Sequence, residues 1–284
     1  MCAEPYDIVN LGIFAKTFSR PTLSETLDAV AAHGLRHFQF NFSCVGLPTL
    51  PEQVSNEVVA EVQRECRTRG MSIVGVSATF NMIDPDVRAR SERLARFAIA
   101  AKGTRAVGCD LVTLCTGTRD PEDMWRAHPD NSSPLAWRDL LRSMEQVIAA
   151  AEQHDVYLGV EPETGNVVSS VRKARQLLDE LQSRRVKIVL DPANLFHAGK
   201  VERVRDRIEE AFQLLGTDIA MAHAKELAPD GTVGTLAPGQ GVLDWNYYLG
   251  TLAYMNFQGP IVMHGLAERD VADSVRFLRA KLAD

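Results

Sequence analysis

Eight short apolar runs recur along this chain, each followed by a longer stretch with helical spacing, and this alternation restricts the fold more than any other feature. The runs are Ile8–Phe14, His37–Phe42, Ser72–Ala78, Leu111–Cys115, Tyr157–Val160, Lys187–Leu190, Ile219–His223 and Ile261–His264. Each is apolar on both faces, as a parallel strand covered on both sides must be. Between them lie amphipathic stripes. Leu23, Leu27, Val30 and Ala31 repeat at helical spacing behind a Thr22–Glu25 capping box and stop before Gly34. Val58, Val59, Val62 and Cys66 end at Gly70, and Ser133-Pro134 opens the stripe Leu140, Leu141, Met144, Val147, Ile148 and Ala151. Val204, Ile208, Ala211 and Leu215 end at Gly216, and Asp244 is placed to cap a helix carrying Leu249 and Leu252. Eight such units with right-handed crossovers close most simply into a (β/α)8 TIM barrel, read as a single domain over 1–284. The competing doubly wound sheet is disfavoured because no G-x-G-x-x-G or P-loop sequence follows the first strand.

Composition narrows the partners. The chain carries 31 Lys and Arg against 37 Asp and Glu, a net charge of −6, which argues against nucleic acid as the main partner. No stretch approaches the ~20 apolar residues of a membrane span, and Met1 to Asn10 has neither a basic region nor a long apolar run. Five scattered cysteines without a Cys-x-x-Cys pair fit a reducing compartment, so the expected location is the cytoplasm, with oligomeric state left open to a homo-oligomer.

In a barrel the chemistry sits at the C-terminal ends of the strands. The fifth ends in Glu161-Pro162-Glu163, the sixth in Asp191-Pro192-Ala193-Asn194, the seventh in His223-Ala224-Lys225-Glu226 and the eighth in His264-Gly265. Four successive strands thus bring Glu161, Asp191, His223 and His264 to one rim. They are metal-ligand types, and the reading they favour over unrelated rim polars is one divalent ion, with mixed oxygen and nitrogen donors suiting Mn²⁺, Zn²⁺ or Co²⁺ better than Mg²⁺.

At these residues the chain resembles the xylose-isomerase-like barrels, the sugar (phosphate) isomerase/epimerase superfamily that also contains AP endonucleases. The resemblance covers essentially the whole sequence. It rests on Glu161, Asp191, the His-x-Lys-[Asp/Glu] of His223, Lys225 and Glu226, and the segment Gly239-Gln240-Gly241-Val242-Leu243-Asp244-Trp245. It implies one divalent metal held by Glu, Asp, His and a final Glu, with the two glutamates flanking a sugar. This chain departs from that pattern twice: His264 stands where members commonly carry the second Glu, and Asn194 where many carry His. His264 is then either a ligand, leaving Glu161 or Glu163 as the base, or itself a free base.

The expected activity is metal-dependent isomerisation or epimerisation of a sugar, sugar phosphate or related keto sugar through an enediolate, a role in carbohydrate metabolism. Elimination from the same enolate is not separable by sequence. Glu161, His264 and Lys225 are the expected catalytic residues. The loop of about 18 residues after the fourth strand is long enough to be functional, and it offers Arg119, Trp125 and His128 to substrate, alongside Glu163 and Asn194. Lys16 reads equally as a site residue or a solvated lysine. His33, His37 and His154 read as ordinary histidines, and His197 as a weak ligand candidate. The alternatives are a sugar-binding barrel without turnover and, less favoured, an AP-endonuclease-type phosphodiesterase. The latter would need His and carboxylate ligands that Ser72–Ala78 and Leu111–Cys115 lack.

Overall fold

A computed structural model describes residues 10–197 and 199–283. Eight strands close into one parallel barrel in sequence order: β1 (Leu11–Phe14), β2 (His37–Phe40), β3 (Ser72–Ser77), β4 (Leu111–Leu114), β5 (Tyr157–Val160), β6 (Val186–Leu190), β7 (Ile219–Ala224) and β8 (Ile261–Met263). β1 pairs with both β2 and β8, which closes the ring. The helices are α1 (Leu23–Ala32), α2 (Asn56–Arg69), α3 (Val87–Ala106), α4 (Pro134–His154), α5 (Val171–Leu181), α6 (Val204–Leu215), α7 (Trp245–Tyr254) and α8 (Val271–Ala283). The (β/α)8 expectation therefore holds. Ile8 and Val9, included in the first strand run, and Cys2 lie outside the described residues; the other four cysteines are free thiols.

Local chemistry sets the helix ends. Thr22 accepts from the Glu25 amide and donates to the Glu25 carboxylate, Ser133 accepts from Ala136 N with Pro134 behind it, and Asp244 accepts from Tyr247 N. Only Val62 and Cys66 of the α2 stripe are fully buried, while Val58 and Val59 are half-buried. The strands are short and their apolar side chains merge with the helix stripes into one continuous core. Two register shifts break the pairing, one between Phe38 and Gln39 in β2 against β3, the other between Ile188 and Val189 in β6 against β7. Among the described residues no helix is long and apolar enough to cross a membrane.

Candidate active site

Glu161, Asp191, His223 and His264 arrive from β5, β6, β7 and β8 at one end of the barrel, as the strand ends required. His223 Nδ1 lies 3.4 Å from Glu161 Oε1 and 3.4 Å from Asp191 Oδ2. Asp191 is wholly buried, and its Oδ1 accepts from Ala193 N at 3.0 Å. The His264 ring stacks on His223 at 4.9 Å and on Phe14 at 5.3 Å, each at 11°. Three atoms then stand out: Asp191 Oδ2, His223 Nδ1 and His264 Nδ1 are buried without a hydrogen-bond partner. Their residues form a group in which one ligand atom of each lies within 4.8 Å of the others. Buried polar atoms are normally paired, so three unpaired ones in one cluster of metal-ligand types make a possible metal site. The donor set fits a divalent ion.

Charge in the cluster follows from burial and neighbours. Burial opposes a charge on His223, but Glu161 and Asp191 outweigh it and raise the imidazole to about 9. Burial and the positive charge of His223 and Lys225 push His264 well below its ordinary value, leaving a neutral ring with a lone pair. Burial would lift the Asp191 carboxyl, yet Lys225 and His223 hold it well below the usual carboxylate range. Burial works against the Lys225 ammonium as well, but Asp191 and Glu161 keep it charged. Glu163 goes the other way: burial, then the charge of Glu161, raises its carboxyl to about 8.

Asn194 takes the middle of a short relay. Its Nδ2 donates to Glu161 Oε1 at 2.7 Å and its Oδ1 accepts from Lys225 Nζ at 2.9 Å, with Nζ 3.5 Å from Asp191 Oδ2. Both ends of the amide are thus committed to the site's own residues, not held out to a ligand. The bland reading of Lys225, a surface ion pair with Glu226, is excluded. Glu226 turns the other way and accepts from Leu227 N, Leu243 N, Gly239 N and Trp245 Nε1. That carboxylate holds the 239–245 segment against β7. Gly241 packs so closely there that a Cβ would lie 2.2 Å from Leu227 O. Behind the cluster, the Tyr248 hydroxyl donates to His223 O at 3.1 Å and sits 3.4 Å from Leu190 O, tying the ends of β6 and β7 together.

A cavity of about 410 Å³ opens over these residues. Its titratable wall is Glu161, Glu163, Lys225, His223 and His264; the opposite wall is neutral, from Gln39, Asn41, Ser77, Thr79 and Thr113. Lys16, Phe14 and Trp125 complete the rim, Trp125 with 46% of its surface exposed.

Two expected substrate residues are not brought to the cavity. Arg119 folds back, pairing with Asp139 at 2.7 Å and donating to Ile83 O at 2.9 Å, because a buried guanidinium takes the carboxylate α4 offers. His128 caps the 3-10 turn Pro129–Ser132, its Nδ1 accepting from Asp130 N. The loop itself is pinned by asparagines. Asn131 Nδ2 donates to Gly165 O, and Asn166 Oδ1 accepts from Thr116 N and Gly117 N. Gly117 allows this at φ +77°, where a Cβ would lie 2.2 Å from Asn81 Oδ1.

Sequence reasoning passed over Gln39, Thr113, Asn41 and Ser77. The available signal was a polar residue inside an otherwise apolar run, most plainly Gln39 between Phe38 and Phe40.

The comparison with known proteins now decides the family. The sequence model of the xylose isomerase-like TIM barrel matches residues 27–281. The chain belongs to that family. A D-psicose 3-epimerase of Enterocloster bolteae is 29% identical over 126 residues, which is 43% of this chain and 38% of the relative's length. Among solved structures, 3-keto-D-glucoside 4-epimerase from E. coli superposes with a TM-score of 0.76 at 17% identity, covering 96% of this chain and 99% of the other. D-psicose 3-epimerase with D-tagatose from Clostridium cellulolyticum gives 0.75 at 16% identity, over 96% and 99% of the two chains. These likenesses extend the fold over nearly the whole chain.

Proposed function

We propose that this xylose isomerase-like barrel is a metal-dependent epimerase or isomerase of a keto sugar, with Glu161, Asp191, His223 and His264 holding one divalent ion. The observation that carries the reading is the trio of orphaned buried donors on Asp191, His223 and His264 beneath a cavity of about 410 Å³. The names of the relatives, sugar epimerases that act beside a ketone, support the substrate class.

A divalent ion bound there supplies a Lewis acid that polarises the sugar carbonyl and steadies the negative charge that grows as the neighbouring carbon loses its proton. The chain's own residues do the rest. Glu161, held by the Asn194 amide, accepts that proton. Glu163, whose carboxyl is raised by burial and by the charge of Glu161, is the group that can return one. Two carboxyls whose surroundings separate their protonation are what removal and return of a proton require. Glu163 thus fills the role left vacant by His264 in the two-glutamate pattern. The Lys225 ammonium and the neutral wall at Ser77 and Thr79 bind and orient the hydroxyls, and Trp125 offers a ring face at the rim.

The test is product analysis on a panel of ketoses and keto-glycosides, with the protein loaded with Mn²⁺ or stripped by chelator. Metal-dependent formation of an epimer or isomer is expected. A protein that binds the ion and the sugars yet converts none of them would instead be a sugar-binding barrel.

A further inference from the structure

We infer that Gln39 is the positioning residue of the metal site: through its side-chain carbonyl it fixes His223 as the Nε2–H tautomer, which presents the Nδ1 lone pair to the ion. This rests on the proposed metal reading. A glutamine in the wall of a barrel core costs free energy unless both ends of its amide are paired. Here both are. Gln39 is 3% exposed; its Oε1 lies 3.3 Å from His223 Nε2, and its Nε2 donates to Thr113 Oγ1 at 3.0 Å. Thr113 is equally buried and comes from β4, two strands away. The register shift between Phe38 and Gln39 sets this residue opposite Gly75 of β3, which carries no side chain to compete for the interior.

The direction of the relay follows from its ends. Nδ1 of His223 faces Asp191 and Glu161 and lacks a hydrogen-bond partner, whereas Nε2 faces the amide oxygen. With an ion in place of the Nδ1 proton the ring is neutral, donates through Nε2 and keeps its lone pair at Nδ1, the nitrogen that faces Asp191 and Glu161. The hydrogen bond made by one ring nitrogen decides which nitrogen the metal takes. A neutral amide in this place, unlike a carboxylate, adds no negative charge, so the ion keeps its pull on the substrate oxygen. Gln39 Oε1 is the partner that faces His223 Nε2, and Thr113 Oγ1 anchors the other end of that amide.

The experiment combines Mn²⁺ or Zn²⁺ titration with ¹⁵N NMR of the histidine ring in the Zn²⁺-loaded wild type. The ring spectrum is expected to show Nε2–H and a metal-bound Nδ1 for His223. Gln39→Leu is expected to bind the ion about 10–100-fold more weakly, as loss of such an outer partner typically does. Gln39→Glu, which keeps an acceptor at the same reach, is expected to restore or exceed wild-type affinity. Thermal melting of each variant reports whether the fold survives. A Nε2-bound metal in the wild type, or equal affinities for Gln39→Leu and wild type, would overturn the assignment. Wild-type protein that takes up no divalent ion would overturn the metal reading itself, and this role with it.

Discussion

Asp191 Oδ1 accepts from a backbone amide, whereas Oδ2, near His223 Nδ1 and Lys225 Nζ, has no hydrogen bond of its own and is the atom the proposed ion would take. Asp191→Ala should therefore abolish stoichiometric Mn²⁺ binding, by more than the roughly 10–100-fold that an outer partner is worth. Unchanged metal content on analysis of the purified variant would show the ion lies elsewhere. Glu163 makes a sharper point about catalysis. Glu163→Gln keeps shape and hydrogen bonding but not the acidic proton, and should lower kcat by about 10²–10⁴-fold with metal affinity intact. Equal kcat in the two proteins would remove Glu163 from proton transfer. At this scale the sequence was informative where four successive strand ends each carry a residue of metal-ligand type. Glu161, Asp191, His223 and His264 could be read off directly. Arg119 and His128 could not be placed, because a mobile-looking loop rich in polar groups gives no hint that Asp139 and the Asp130 amide will claim them. Gln39 was hidden for the opposite reason: a single polar residue in an apolar run looks like an imperfection until its partners on β4 and β7 are known.

Elements are held in register by a few capping and pinning contacts, and their cost can be measured. Glu226 accepts four N–H groups in the interior, three from Gly239, Leu243 and Trp245 of the 239–245 segment and one from the adjacent Leu227, and removing it leaves donors buried without acceptors. Glu226→Ala should destabilise by about 3–5 kcal/mol, at the high end for a single change, since each orphaned donor costs roughly 1–3 kcal/mol before relaxation. Urea unfolding gives the number directly, and a loss under about 1 kcal/mol would mean the segment does not depend on that carboxylate. The Thr22–Glu25 capping box is a milder case: Thr22→Ala should cost about 1 kcal/mol. Helix starts of this kind were legible from Thr22, Ser133 and Asp244 because capping is local chemistry. The Gly-x-Gly-x-Leu-Asp-Trp segment was recognisable only by resemblance, since its partner Glu226 comes from another strand.

For the molecule as a whole, the eightfold rhythm was enough to predict a closed barrel, because both-face-apolar strands have few other ways to bury themselves. Acid stability is a property of that whole. Asp139 ties α3 and the long loop to α4 through Arg90 and Arg119. Burial would raise its carboxyl, but the two guanidinium hydrogen bonds hold it below the ordinary value. A depressed folded-state value stabilises above the unfolded-state value near 3.9, and the contribution is lost as pH falls through the folded-state value. Asp139→Asn should therefore lower stability at neutral pH and flatten the fall of Tm below about pH 4, where the wild type loses this contribution. A parallel pair of Tm–pH curves would contradict it. The central claim, that the rim removes a proton beside a sugar carbonyl with the help of a bound ion, is tested most directly by solvent-deuterium incorporation. Wild-type protein loaded with Mn²⁺ is incubated in D₂O with a panel of ketoses and keto-glycosides, and the carbons next to the carbonyl are read by NMR. Deuterium should enter at one such carbon of at least one sugar, disappear on chelation and disappear in Glu161→Gln. Stoichiometric metal with no deuterium in any sugar, or incorporation unaffected by Glu161→Gln, would contradict the account.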